Sequence, residues 1–282
     1  MSHSPIQEIV GVFGQPVAGN PTQYIVEKAF QRAGLDWRYL TLEVAPENLA
    51  DAVRGARAMG FRGFNCTIPH KVAVIPYLDR TSEAAGLMGA VNCVNRVGDE
   101  LVGENTDGKG FIESLRTVCD PAGKRIVVLG AGGAARAISV ELGLGGAAEI
   151  VIVNRDPGRG FELVDLLCAG VKATTTYAPW PDPYLVPAGT DVVINATSIG
   201  LGDGDARVPL DFATLSPEMV VADVIFNPAD TRFLREARNR GCRTLDGLGM
   251  LVNQAVIGFK IWTGVQPDAE LMREALEEFL GI

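Results

Sequence analysis

At 282 residues, the chain has room for two domains of about 150 residues each. Its 25 Lys and Arg against 34 Asp and Glu give a formal charge of −9, which disfavours a nucleic-acid partner, since no broad cationic surface can neutralise a phosphate backbone. Hydrophobic residues at 47% and charged residues at 21% exclude global disorder; no uncharged apolar run approaches the roughly 18 residues of a membrane span, and residues 1–5 lack the regions of a secretory signal. A soluble, cytoplasmic protein is expected, with neither membrane nor nucleic acid as partner.

Strands and helices alternate along the chain. Residues 9–13 predict a strand stopping at Gly14, and residues 22–33 a helix with Ile25, Ala29 and Phe30 on one side. A strand over 37–42 follows. Pro46 then opens a helix ending before Gly60, where proline's fixed φ suits the first turn. A short strand is expected over 61–65, a helix start at Pro69, and a hairpin of 90–97 with 100–102 around Gly98-Asp99. From Lys124 the apolar runs are uninterrupted: strands over 125–129, 149–153, 191–194 and 220–225, with a helix over 134–142. Such runs suit strands covered on both faces of a parallel sheet. The chain closes with two helices broken near residues 264–267, and residues 179–189 and 202–207 are the segments expected to be least ordered. The five cysteines lack zinc-ligand spacing and are expected to be reduced, and with His3 and His70 the only histidines, no metal site is expected.

The 33 glycines are well above the usual share of about 7%. Six residues, Gly130-Ala131-Gly132-Gly133-Ala134-Ala135, lie between a predicted strand and a predicted helix and fit G-x-G-x-x-A. In a strand–turn–helix of this kind, the first glycine permits the turn and the second lets a pyrophosphate approach the backbone. The third small residue allows close packing, and the helix N-terminus offers its N–H groups to the anion. Gly130, Gly132, Gly133 and Ala134 are therefore candidate dinucleotide-binding residues. The next strand ends in Asn154-Arg155-Asp156, with Arg159 shortly after. Two guanidiniums at that corner favour the 2′-phosphate of NADP, whereas Asp156 leaves NAD open through a ribose hydroxyl.

Three polar clusters precede the glycine loop: Asn65-Cys66-Thr67-Ile68-Pro69-His70-Lys71, Ala90-Val91-Asn92 and Glu104-Asn105-Thr106-Asp107-Gly108. Hydride transfer at a carbinol carbon needs an acid or base at its oxygen, and Lys71 with Asp107 is the attractive pair. Further on come Asn195-Ala196-Thr197-Ser198-Ile199-Gly200 and Asp246-Gly247-Leu248-Gly249-Met250-Leu251-Val252-Asn253-Gln254-Ala255.

Taken together, in this order and over essentially the whole chain, these segments resemble the shikimate dehydrogenase family. The resemblance implies an N-terminal α/β substrate domain of residues 1–107, completed by 247–282, and a Rossmann domain of residues 108–246. The last helices would return to the first domain and the active site would lie in the cleft. It implies Lys71 and Asp107 as the catalytic pair, with Thr67, Asn92 and Gln254 on the substrate hydroxyls. Asn195, Ala196 and Thr197 would line the nucleotide, and Met250 would lie near the nicotinamide. The activity implied is reversible NADP-dependent oxidation of shikimate to 3-dehydroshikimate.

One segment departs from the family. Where it has P-I-x-H-S-x-S-P, with two serines on the substrate carboxylate, this chain reads Pro16-Val17-Ala18-Gly19-Asn20-Pro21-Thr22-Gln23. A family tyrosine that reaches the same carboxylate is Phe226. Asn20 and Thr22 still offer hydrogen bonds, whereas Phe226 has none to give. Quinate, aminoshikimate or another cyclic hydroxy acid or polyol is therefore an alternative substrate, and a nucleotide-binding sensor without turnover the non-enzymatic one.

Overall fold

The computed structural model describes residues 6–282, so residues 1–5, with His3 and the expectation of a start without a leader, lie outside the described residues. The chain divides into two compact units, Met1–Thr106 with Gln254–Ile282, and Asp107–Asn253.

The first unit begins with β1 (Glu8–Gly14), whose last five residues are all buried. The side-chain oxygen of Asn20 accepts the N–H of Thr22 at 2.9 Å and so fastens the start of α1 (Thr22–Ala33), which ends at Gly34 in the left-handed region (φ 68°) that glycine enters at no steric cost. Ile25, Val26, Ala29 and Phe30 form the buried stripe of α1. Next come β2 (Trp37–Glu43), a 3₁₀ turn at Pro46–Asn48 leading into α2 (Leu49–Ala58), β3 (Gly63–Cys66) and the single turn α3 (His70–Ala73). Then follow β4 (Arg80–Thr81), α4 (Glu83–Met88) capped by the Ser82 hydroxyl, and the hairpin of β5 (Cys93–Val97) with β6 (Glu100–Glu104). These strands form one mixed sheet in the order β2-β1-β3-β5-β6-β4, with β1 parallel to both neighbours and β5 antiparallel to both of its own. Phe13 and Phe64 stack with ring centroids 4.5 Å apart in the core of this sheet.

The second unit takes up all but the first residue of α5 (Thr106–Arg116) and then alternates β7 (Arg125–Leu129), α6 (Gly133–Leu144), β8 (Glu149–Asn154), α7 (Pro157–Gly170) and β9 (Thr174–Pro179). It continues with β10 (Val192–Asn195), β11 (Val220–Asp223), α8 (Arg232–Asn239) and β12 (Arg243–Leu245). Every strand pair is parallel, in the order β12-β11-β10-β7-β8-β9. This is the doubly wound Rossmann order, in which the chain reverses direction across the sheet between its first and fourth strands, here β7 and β10. The buried runs of β7, β10 and β11, read from the sequence as doubly covered strands, are covered on both faces.

Helix α9 (Leu248–Thr263) starts in the second unit and ends in the first, where Trp262 Nε1 donates to the carbonyl of Val94 at 2.9 Å. Helix α10 (Ala269–Leu280) then packs on α1, with an ion pair between Lys28 and Glu278 and the rings of Tyr24 and Phe279 in contact.

Two expectations are corrected. Residues 179–189 and 202–207 are pinned rather than loose: Tyr184 bridges to Leu210, Trp180 Nε1 donates to Pro209 at 2.9 Å, and Arg207 forks onto Asp182 at 2.6 and 2.9 Å. Tyr184 and Val186 are buried in the second unit's core, an anchoring that Pro, Gly and Asp composition does not reveal. The strand expected over 220–225 stops at Asp223, because that side chain turns back to accept the N–H of Ile225 at 3.1 Å.

Candidate active site

In the first unit, the sheet brings three of the predicted segments together. Thr67 follows β3 directly, and its N–H donates to Phe13 at 3.0 Å, while the N–H of Gln15 donates to Ile68 at 2.9 Å. The approach is so close that a Cβ on Gly14 would come within 2.3 Å of the Thr67 methyl. The altered segment 16–22 therefore continues from a loop stitched to the segment carrying Lys71. Lys71 lies half-buried on α3, and its carbonyl accepts the N–H of Val91 at 2.7 Å, which ties it to the segment of Asn92. Thr22 is buried, and Asn20 spends its carbonyl oxygen on the start of α1.

Asn92 is buried within a network that the sequence did not reveal. Its Oδ1 accepts the N–H of Thr106 at 2.7 Å, and its Nδ2 donates to Thr106 Oγ1 at 3.0 Å. Thr106 Oγ1 reaches Gln254 Oε1 at 3.5 Å, so two predicted substrate residues share one threonine. On the other side, the Tyr39 hydroxyl donates to Asn65 Oδ1 at 2.7 Å, and Asn65 Nδ2 donates to the carbonyl of Asn92 at 2.9 Å. Burial pushes the Tyr39 phenol well above its ordinary range, so it remains a donor at any ordinary pH. Burial likewise pushes the Cys66 thiol up to about 12, so it stays a neutral thiol in the core.

In the second unit, Asp107 sits half-buried in the first turn of α5. The following Gly108 lets α5 close on α6, since a Cβ there would lie 2.4 Å from the carbonyl oxygen of Ala137. Met250 is half-buried on α9, next to Gly249, whose missing side chain admits Ser114 of α5. Phe226 is half-buried in the loop after β11.

The glycine loop lies at the point where the strand order reverses. Gly130 leaves β7 with φ 111°, and a Cβ there would meet the Thr197 methyl at 3.0 Å and the Ala196 carbonyl at 3.1 Å. Thus β7 and β10 place Gly130 against the segment of Asn195, Ala196 and Thr197. Ala135 is fully buried where helix meets strand. Gly132 and Gly133 behave differently: their φ values are not left-handed, and an added Cβ would touch nothing within 4 Å. Packing does not require glycine at either position, so what it leaves is open space before the N-terminus of α6, where no side chain caps the helix. Uncapped N–H groups beside open space suit an anion, and the residues present fit a dinucleotide pyrophosphate.

At the end of β8, Asp156 Oδ1 caps α7 by accepting the N–H groups of Gly158 and Arg159 at 2.9 and 3.3 Å. Asn154 Nδ2 donates to the Asp156 carbonyl at 2.9 Å and shapes the corner, while Arg155 and Arg159 are exposed beside it. One oxygen of the exposed Asp156 carboxylate is thus engaged in a helix cap. Among the described residues no group of His, Cys, Asp and Glu could hold a metal ion, and no helix is long and apolar enough to cross a membrane.

Residues 12–94 match the shikimate dehydrogenase substrate binding domain, and residues 247–277 match the shikimate 5'-dehydrogenase C-terminal domain. Over 271 residues, 94% of both chains, the protein is 46% identical to a shikimate dehydrogenase (NADP(+)) of Geobacter metallireducens. The ligand-free structure of 5-ketofructose reductase from Gluconobacter sp. strain CHM43 is 53% identical, covers 98% of this chain and 99% of its own, and superposes with a TM-score of 0.95. Shikimate 5-dehydrogenase from Thermus thermophilus, in complex with NADP(H) and shikimate, is 33% identical over 97% of this chain and 100% of its own, with a TM-score of 0.84. With 46% identity across 94% of its length to such an enzyme, the chain belongs to the shikimate dehydrogenase family of oxidoreductases.

Proposed function

We propose that the chain is an NADP(H)-dependent dehydrogenase that interconverts a ring alcohol and its ketone, with shikimate and 3-dehydroshikimate as the substrate pair. The observation that carries the cofactor half is the open space at Gly132 and Gly133, placed at the reversal of the strand order. NADP is favoured over NAD because Asp156 Oδ1 is engaged in its cap while Arg155 and Arg159 stand exposed, ready to fork onto a 2′-phosphate. When bound, the nicotinamide supplies or accepts the hydride. Lys71 and Asp107 handle the proton at the substrate oxygen, and Thr67, Asn92 and Gln254 hold the neighbouring hydroxyls. Asn195 and Thr197 line the nucleotide and Met250 lies towards the nicotinamide.

A second reading is favoured by the loop at residues 16–22. Where the family places two serines on a carboxylate, this chain has Asn20 with its carbonyl oxygen already engaged and the buried Thr22, and Phe226 replaces a hydroxyl-bearing ring. An amide and a hydroxyl suit an uncharged polyhydroxy ketone, the kind of compound named for the Gluconobacter relative, at least as well as an anion. The deciding measurement is initial rates of NADPH and NADH oxidation with 3-dehydroshikimate, 3-dehydroquinate and 5-ketofructose. Preference for 3-dehydroshikimate with NADPH supports the first reading, preference for 5-ketofructose the second, and no turnover of any of them rejects both.

A further inference from the structure

We propose that Asp223 is a positioning residue for the nucleotide site, its carboxylate holding the loops after β10 and β11 in the arrangement that presents Asn195 and Thr197. The inference rests on the dinucleotide reading above and adds a residue that does not itself touch the cofactor. Asp223 closes β11 and is completely buried. Its Oδ1 accepts Asn195 Nδ2 at 3.0 Å and the N–H of Ile225 at 3.1 Å, and its Oδ2 accepts the Thr231 hydroxyl at 2.7 Å. One carboxylate thus holds three pieces of chain: the end of β10, the turn after β11, and the start of α8, whose Leu234 N–H is capped by the same Thr231 at 3.4 Å.

The order passes outward from Asp223 in two steps. Held through one hydrogen of Nδ2, Asn195 donates the other to the carbonyl of Ile199 at 3.1 Å and turns Oδ1 towards Thr197. That oxygen accepts the Thr197 hydroxyl at 2.7 Å, and Thr197 Oγ1 accepts the N–H of Ile199 at 3.1 Å. The Thr197 methyl then lies 3.0 Å from where a Cβ on Gly130 would be, so a rotation of Asn195 reaches the glycine turn. Without the carboxylate, the carboxamide of Asn195 loses the contact that sets its flip, and its buried donor is left unmade. Burial pushes the Asp223 carboxyl up to about 6, so at neutral pH the fold holds a charge there at a cost, as is common where a site is kept for function.

The test measures NADPH affinity directly, by quenching of protein fluorescence, in the parent, Asp223→Ala, Asp223→Asn and Thr231→Val, beside steady-state KM and kcat. Asp223→Ala is expected to weaken NADPH by at least roughly tenfold, with the KM for the ketone substrate at saturating NADPH changing less than about twofold. Asp223→Asn keeps an acceptor for Asn195 and Ile225 and is expected to recover NADPH binding to within about threefold of the parent. A purely structural role would lower thermal stability in the alanine variant without this split between cofactor and substrate. An alanine variant that is folded and binds NADPH within about twofold of the parent overturns the assignment. If that variant does not fold, Thr231→Val decides: roughly threefold weaker NADPH is expected, and unchanged affinity overturns the proposal. A parent that does not bind NADPH removes the dinucleotide reading itself, whereas a binding parent with an unaffected alanine variant removes only the role of Asp223.

Discussion

In the first unit the buried polar chain Tyr39, Asn65, Asn92, Thr106 and Gln254 links neutral side chains, whereas in the second the buried Asn195 and Thr231 meet at the carboxylate of Asp223, with the half-buried Thr197 bonded to Asn195. Amides and hydroxyls can satisfy one another reciprocally at little electrostatic cost. A buried carboxylate must be offset by several donors and still carries a desolvation penalty. Asn92 and Gln254, proposed to bind substrate hydroxyls in the first unit, are thus tied to the neutral Thr106, while Asn195, proposed at the nucleotide, is tied to a carboxylate. The same contrast separates their expected tasks, recognition of neutral hydroxyls in one unit and of phosphates in the other.

The largest effect should come from dividing those tasks. Lys71→Ala is expected to lower kcat by about 10²–10⁴-fold, the usual contribution of a positioned acid or base, while NADPH affinity measured by titration stays within about twofold. Undiminished turnover would remove Lys71 from the mechanism.

The next prediction concerns the charged cluster. Because burial raises the folded Asp223 carboxyl from 3.8 to about 6, between those values the folded chain keeps a proton the unfolded chain has released. Raising pH through that window therefore lowers the parent's stability, and above about 6 the loss is complete. Relative to Asp223→Asn, which cannot ionise, the parent should lose about 3 kcal/mol of unfolding free energy between acid and neutral pH. Urea unfolding of both proteins from pH 3.5 to 7.5 checks this, and two parallel curves would refute it. In the neutral network, Tyr39→Phe should shift stability by the same amount at every pH in that range.

Arg155→Ala should weaken NADPH by about 2 kcal/mol, the loss of a charge-assisted bond, and leave NADH nearly unchanged, since only NADPH carries the extra phosphate. Equal losses for both nucleotides, measured by titration, would show that Arg155 does not contact that phosphate.

The smallest effect is expected at the altered anchor. Restoring serine at positions 20 and 22 together with Phe226→Tyr should raise kcat/KM for shikimate by roughly tenfold, about 1.4 kcal/mol. Asn20→Ser also removes the amide that accepts the Thr22 N–H, so the variant's melting temperature should be recorded beside its kinetics. A folded variant with unchanged shikimate efficiency would mean that these positions do not govern carboxylate recognition.

Much of this architecture is legible in the residues. The strand over 125–129 and the helix over 22–33 are found at the residues their patterns mark, because a buried run and a 3.6-residue stripe are local statements. The helix over 157–170 and the strands over 174–179 and 243–245 are not marked in this way, since their places are set by packing on the parallel sheet rather than by a local pattern. Among candidate residues, Lys71, Thr67 and Asn92 stand out as polar residues in motifs. Tyr39 and Thr231 do not: one lies in an ordinary strand, the other ahead of an ordinary helix. Asp223 stands in a segment where attention falls on Phe226, and only its buried partners reveal it.

By itself the sequence determined the alternation of elements, the glycine turn after the seventh strand, the order of the motifs and the replacement of two serines and a tyrosine at one pole of the expected pocket. All of these are properties of residues close together in the chain, or of residue type alone. The tertiary structure decided that Gly132 and Gly133 face open space rather than a packed neighbour, that Asp156 Oδ1 caps a helix, and that Asn92 and Gln254 share Thr106. It also decided that Asp223 holds Asn195 and Thr231 from neighbouring segments. Each of these depends on which atoms lie within about 3 Å of one another across long stretches of chain, where hydrogen bonds and close packing act and sequence spacing carries no information.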